Sequence, residues 1–351
     1  MVDEKPRSGF RVKLTTKEYE GTDVYYSLYL PENYKKGRKY PVIVEYTGNK
    51  WSPGASTGEV KDANLGYAIA RKLNAIWIVL PYIENKTSIT TWWGSEEETI
   101  DFALQTIRQV CENYGGNPAE IFLCGFSRGA IGVNYLGLYN NKIADVWLGF
   151  FTHDHYDGVK EWKGTKWGSP LEKYREDAKT RFIRINGRSC LISQSVYTIP
   201  ETSVTKNYLE ENKLNTIAKV AYIFVPISTI IPKIPSEHVP HRHTDKWLLY
   251  HSKYADNVYE WFLETIKEKP GTYSVSGTVK DAKGEPICNA LVESGNTHFT
   301  FTNKNGTYFL EGLISGNREV SVAHKKNSSI IESKVICLKS DVDKLDFVIR
   351  K

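Results

Sequence analysis

The sequence predicts an α/β fold, a mostly parallel sheet with helices on both faces, followed by a small all-β sandwich. Three observations predict it. Over residues 1–270, short apolar runs alternate with amphipathic segments of helical spacing. Runs such as Ala75–Leu80 are continuously apolar, as strands covered on both faces must be. Beyond residue 270 the helical pattern stops, and short alternating runs separated by turn residues replace it.

The elements follow in order. Val24–Leu30 alternates like a strand and ends at Pro31. Tyr40–Tyr46 is an apolar strand followed by Thr47-Gly48-Asn49, and Ala63–Leu73 has helical spacing. Ala75–Leu80 is a strand ending at Pro81. Glu96–Tyr114 reads as a helix, with acids crowding the first turn, where the macrodipole favours them, and Gly115-Gly116-Asn117-Pro118 stopping it. Ile121–Cys124 is a buried strand, Ala130–Tyr139 a helix, and Val146–Phe151, Ser189–Ser193 and Val220–Val225 are further strands. Trp247–Lys267 reads as a closing helix. Glu268-Lys269-Pro270-Gly271 is a linker, which puts the domains at 1–270 and 271–351. Ser274–Lys280, Ala290–Glu293, Phe299–Thr302, Thr307–Leu310 and Glu319–Ala323 are the short strands of the second.

Composition bounds the function. Forty-six basic against 41 acidic residues leave a net charge of +5, spread along the chain. That argues against nucleic acid or an anionic membrane as the main partner. No apolar run reaches the roughly 18 residues of a transmembrane helix, and the N-terminus has no apolar signal region. The five cysteines show no close pairing, so no zinc site or disulfide framework is expected. Cys288 and Cys337 share the C-terminal region, and whether they pair stays open.

The strongest motif is Gly125-Phe126-Ser127-Arg128-Gly129, between a strand and a helix. In that context it reads as a nucleophile elbow: a strained turn lifts the serine oxygen above the sheet, and the helix N-terminus favours a developing oxyanion. Otherwise it is a plain connecting turn. A serine nucleophile needs a base later in the chain, and His243 stands between the last apolar strand and the closing helix. His241 lies close by. The preferred acid is Glu201, after the strand Ser189–Ser193. Asp154, after Val146–Phe151, is the alternative, and Asp157 a weaker variant of it. The oxyanion donors are expected from the Arg128 N–H and from Gly48 or Asn49, although Thr47-Gly48-Asn49 also reads as an ordinary β-turn. Trp92 or Trp93 is expected as a platform for a sugar or aryl ring, or as cover for the sheet edge. A rival lies in His153, His155 and Asp157, which begin a zinc-hydrolase-like H-x-H-x-D pattern that Gly158 breaks.

These motifs identify a resemblance. Residues 20–267 resemble the α/β-hydrolase superfamily, and within it microbial serine esterases related to acetyl-xylan, feruloyl and polyhydroxybutyrate-depolymerase-like enzymes. The resemblance rests on Gly125–Gly129, the order Ser127 then His243, and the turn at Gly48. The lipase-type His-Gly-Gly-Gly motif is absent. The resemblance implies a cofactor-free serine carboxylesterase working through an acyl-enzyme, on small esters or acyl groups of plant or algal polysaccharide. The alternatives are a serine peptidase of the same fold, a metal-dependent hydrolase, and a non-catalytic glycan-binding protein on this scaffold. Residues 273–350 resemble a carboxypeptidase regulatory-like domain, a seven-stranded transthyretin-like sandwich. Val275–Val279, Gly284–Ile287, Asn289-Ala290 and Thr302–Tyr308 carry that match. Such modules are common on exported bacterial proteins, which implies an extracytoplasmic location.

Overall fold

The apolar runs of the first unit assemble into one eight-stranded sheet. Its strands are β1 (Arg11–Leu14), β2 (Tyr26–Tyr29), β3 (Tyr40–Tyr46), β4 (Ile76–Leu80), β7 (Gly116–Phe126), β8 (Gly149–His153), β9 (Ser189–Ser195) and β10 (Lys219–Val225). Between β4 and β7 a side hairpin forms from β5 (Tyr82–Glu84) and β6 (Thr87–Ile89). The order across the sheet is β1-β2-β4-β3-β7-β8-β9-β10. Only β2 runs against its neighbours, and the strands from β4 to β10 are parallel. The computed structural model describes residues 1–2, 4–54, 56–196, 199–231, 242–295, 297–324 and 330–350.

The connecting helices are α1 (Leu65–Leu73), α2 (Glu96–Tyr114), α3 (Arg128–Tyr135), α4 (Asn141–Ala144), α5 (Leu171–Phe182), α6 (Ile199–Glu211), α7 (Ile227–Ile230) and α8 (Lys253–Lys267). Their ends obey local chemistry. Ser95 caps α2 by accepting the Glu98 N–H, and Gly115 closes it in the left-handed conformation. The first N–H groups of α1 are taken by a carboxylate from the centre of the sheet. Glu45 of β3 accepts Leu65 N–H at 3.1 Å, Gly66 N–H at 2.8 Å and Trp77 Nε1–H at 2.9 Å. Burial and the nearby Asp245 push the Glu45 carboxyl up to about 8, against the pull of those donors.

Several elements depart from the sequence expectation. The strand expected at Ile121–Cys124 spans Gly116–Phe126, so the glycines after α2 open a strand. The helix after the elbow starts at Arg128 rather than Ala130. The closing helix begins at Lys253, and Lys246–Leu249 forms a separate 3-10 turn that buries Trp247. The edge strand β1 and helix α5 went unread. The α5 sequence is highly charged, yet its buried Tyr174, Ala178 and Phe182 recur every fourth residue, which was the available signal.

The chain divides into units Met1–Lys267 and Glu268–Lys351. The second contains β11 (Thr272–Asp281), β12 (Leu291–Ser294), β13 (His298–Phe301), β14 (Thr307–Ile314), β15 (Gly316–Ala323), β16 (Ile330–Leu338) and β17 (Phe347–Ile349). They form sheets β14-β11-β17 and β13-β12-β15-β16 around a core that includes Val275, Val292, Leu310 and Phe347. Cys288 and Cys337 are exposed free thiols.

Candidate active site

Ser127 occupies the turn between β7 and α3 with φ 56° and ψ −116°. A non-glycine residue held there costs about 1–3 kcal/mol. The surroundings outweigh that cost: the five side chains of β4 alone are fully buried, at about 1.5–3 kcal/mol for each large apolar group. The flanking glycines make the turn sterically feasible. A Cβ on Gly125 would lie 2.2 Å from the Gly129 carbonyl oxygen, and one on Gly129 would lie 1.9 Å from that of Tyr46. Strand and helix therefore close around the serine only with glycine on both sides. The Ser127 N–H donates to the His153 carbonyl at 3.0 Å, tying the elbow to β8.

His243 meets the serine from the loop after β10. Its Nε2 lies 2.8 Å from Ser127 Oγ and its Nδ1 2.7 Å from Asp154 Oδ2. The ionised carboxylate can only accept, so Nδ1 carries the ring proton and Nε2 is free to accept from the serine hydroxyl. Phe126 and Trp51 pack on the ring at centroid distances of 4.6 and 5.6 Å.

Asp154 directly follows β8, in a left-handed conformation at φ 77°. Its N–H donates to the Ser193 carbonyl at 2.9 Å, and its Oδ1 accepts the Ser195 N–H at 2.7 Å. Burial by itself raises the Asp154 carboxyl, but the His153 and His243 imidazoles and the Ser195 N–H reverse this and hold it below the usual carboxylate range. Among the described residues the carboxylate that contacts His243 is thus Asp154, directly after β8, the alternative to Glu201 in the sequence reading. The Glu201 backbone belongs to α6, and its side chain lies outside the described residues, as does His241. Asp157 is committed elsewhere: its two oxygens accept from Arg181 at 2.9 and 3.0 Å.

The H-x-H-x-D stretch does not converge. His153 is buried with Nδ1 2.9 Å from Ser193 Oγ and Nε2 3.1 Å from the Thr244 carbonyl. The carbonyl accepts the Nε2 proton, and burial lowers the ring's pKa. With both nitrogens of His153 and both oxygens of Asp157 engaged, the set cannot close on one ion. Among the described residues no group of three His, Cys, Asp or Glu side chains is arranged to hold a metal. The His153 ring instead pins the loop that carries His243. His155 faces the cavity, its ring 5.1 Å from that of His243. Burial and the His243 charge push it down to about 3.

Ser127 and His243 open onto a cavity of about 550 Å³. Gly48, Asn49 and Arg128 line it beside the serine, and a Cβ on Gly48 would lie 3.4 Å from that of Ser127. Of the two expected platforms, Trp92 reaches this cavity. Trp93 does not: it is buried and stacked on Tyr135 at 5.0 Å. Trp51 and Trp162 complete the aromatic wall. Sequence reasoning missed both, because neither sits in a motif and only folding brings their loops to the serine.

A strained serine after the central strand of this mostly parallel sheet, with a histidine after the last strand, is the α/β-hydrolase arrangement. Residues 274–350 match the carboxypeptidase regulatory-like domain profile. Over 137 residues the chain is 26% identical to human carboxylesterase 5A (Homo sapiens), a stretch covering 35% of this chain and 23% of that protein. Similar solved structures include a truncated carbohydrate esterase from gut microbiota, at 17% identity and TM-score 0.46, covering 73% of this chain and 97% of that one. Another is a ferulic acid esterase, at 12% identity and TM-score 0.43, covering 74% and 97%. A thermostable esterase matches at 15% identity and TM-score 0.43, covering 73% of this chain and 62% of its own.

Proposed function

We propose that this chain is a serine carboxylesterase with Ser127 as nucleophile, His243 as general base and Asp154 as the acid that orients it. The observation that carries this is the continuous hydrogen-bonded relay from Ser127 Oγ through His243 to the buried Asp154 carboxylate, at 2.8 and 2.7 Å. The likeness to a carboxylesterase over 137 residues agrees with it.

In the reaction, Ser127 Oγ attacks the ester carbonyl while its proton passes to His243 Nε2. Asp154 stays ionised and stabilises the imidazolium. The tetrahedral oxyanion is held by the Arg128 N–H and an N–H from Gly48 or Asn49. Collapse expels the alcohol, protonated by His243, and water activated by the same ring releases the acid. The substrate assigned is an acyl ester carried on a polysaccharide, for which Trp51, Trp92 and Trp162 offer ring faces around the cavity.

The test is a fluorophosphonate probe together with p-nitrophenyl acyl esters. Wild type is expected to be labelled at Ser127. Folded Ser127→Ala is expected to lose on the order of 10⁴-fold or more in kcat. A folded variant within tenfold of wild type, or activity abolished by EDTA, would end the serine reading. Acetylated and feruloylated glycans, compared side by side, test the substrate class.

A further inference from the structure

Arg128 does more than follow the nucleophile. Its side chain is 1% exposed, a cation enclosed in the protein. No carboxylate among the described residues contacts it. The guanidinium instead gathers backbone oxygens from three separate loops. Nη1 donates to the carbonyls of Trp92 at 2.7 Å and Ile89 at 3.3 Å. Nη2 donates to the carbonyls of Gly48 at 2.9 Å and Gly58 at 3.0 Å, and to Thr47 Oγ1 at 3.1 Å. The group lies 3.8 Å over the Tyr82 ring. Burial lowers its pKa to about 10, so it keeps its charge at neutral pH.

The Gly48 contact has a geometric consequence. The only cis peptide bond among the described residues is Ser169–Pro170, so the Gly48–Asn49 peptide is trans. In a trans peptide the C=O of one residue and the N–H of the next point in opposite directions. A guanidinium that holds the Gly48 carbonyl on the protein side therefore turns the Asn49 N–H to the other side, where Asn49 lines the cavity with Ser127. The preceding peptide is held the same way, its Thr47 carbonyl accepting from the Tyr82 hydroxyl at 2.9 Å. Asn49 is fixed through its side chain too, since Oδ1 accepts the Trp92 N–H at 2.9 Å. Among the described residues the Asn49 N–H donates to no group of the chain. That is the condition of a donor kept free for a ligand.

We infer that the Arg128 side chain is a positioning residue for the oxyanion site: by gripping the Gly48 carbonyl it aims the Asn49 N–H at the oxygen that becomes negative when Ser127 attacks. This rests on Ser127 being the nucleophile. Arg128 thus serves the oxyanion twice, through its own N–H and through the peptide its side chain orients. A lysine in its place would keep the charge but lacks the planar fork that holds the Trp92 and Gly48 carbonyls together.

The experiment uses the full-length chain. Arg128→Lys and Arg128→Gln, each checked for folding by circular dichroism, are assayed with p-nitrophenyl acetate. The expected loss is on the order of 10²- to 10³-fold in kcat, with KM changed by less than about threefold. Affinity for a trifluoromethyl ketone, which Ser127 converts to an oxyanion adduct, is expected to weaken by the same factor as kcat/KM. A folded Arg128→Lys with wild-type kcat, or a loss confined to KM, overturns the inference. A second measurement does not depend on the variants folding. In wild type carrying 15N-asparagine, the Asn49 amide proton is expected to move downfield when Ser127 is phosphonylated. An Asn49 signal that stays put in the labelled protein overturns the inference, whereas failure of Ser127 to take the label overturns the nucleophile instead.

Discussion

The proposed nucleophile and the proposed acid directly follow adjacent strands and are held by different means. The shape of the turn at Ser127 is set largely by five consecutive residues. Its backbone strain, the close approach of Gly125 to the Gly129 carbonyl and the start of α3 are all local to the elbow. Asp154 is set by residues far away in sequence. Ser195 holds one carboxylate oxygen from 41 positions on, and His243 the other from 89 positions on. His153 spans the two ends. Its carbonyl accepts the Ser127 N–H, its ring holds the Thr244 carbonyl from 91 positions away, and its chain neighbour is Asp154. A local turn can be strained and still be specified by its own residues. A carboxylate aimed at a distant ring is specified only by the contacts around it.

The largest further effect is expected at the acid. Asp154→Asn should lower kcat on the order of 10³- to 10⁴-fold, because His243 loses the partner that fixes its tautomer and stabilises its cation. Glu201→Gln, assayed beside it, should keep more than a tenth of wild-type kcat. The reverse ranking would return the acid to the segment after β9.

Next comes the link between the two ends. His153→Phe keeps a ring against Phe126 and Trp247, which lie 5.6 and 5.4 Å from the histidine, but it loses the bond to the Thr244 carbonyl. A displacement of His243 by about 1 Å costs on the order of 10²-fold in kcat. That drop, with KM little changed, is the expected result in a folded protein. Unchanged kcat would mean that the His243 loop holds its place without the bond.

A smaller effect concerns stability. The folded pKa of His155, about 3, lies below its ordinary value of 6.5. Below pH 6.5 the unfolded chain therefore binds a proton that the folded chain refuses, and stability falls as the pH drops towards 3. Between pH 7 and 5 His155→Asn should remove on the order of 1–2 kcal/mol of that fall, read from urea midpoints at both pH values. Equal slopes for variant and wild type would show that His155 is readily protonated in the fold.

The smallest effect is expected from the second unit, whose core is its own. A chain ending at Lys267 should hydrolyse p-nitrophenyl acetate with kcat within about twofold of the full chain, as independent domains do. An insoluble or inactive product would show that the catalytic unit needs the sandwich.

Elements whose causes are local were legible along the chain. Continuous apolar runs specified the buried parallel strands, the Gly-x-Ser-x-Gly turn the elbow, and the switch from helical to alternating pattern the change of architecture near residue 270. Which carboxylate meets His243, which tryptophans line the cavity and what the Arg128 side chain contacts emerge only once the chain is folded. Asp154 and Glu201 both follow strands, and no pattern along the chain says which carboxylate reaches a ring nitrogen on a third loop. Trp93 stands beside Trp92 in the sequence, yet one is buried in the core and the other lines the cavity. The physical reason is one of range. Strand, helix and turn preferences act over a few residues, whereas hydrogen bonds between loops depend on where the whole sheet places the chain.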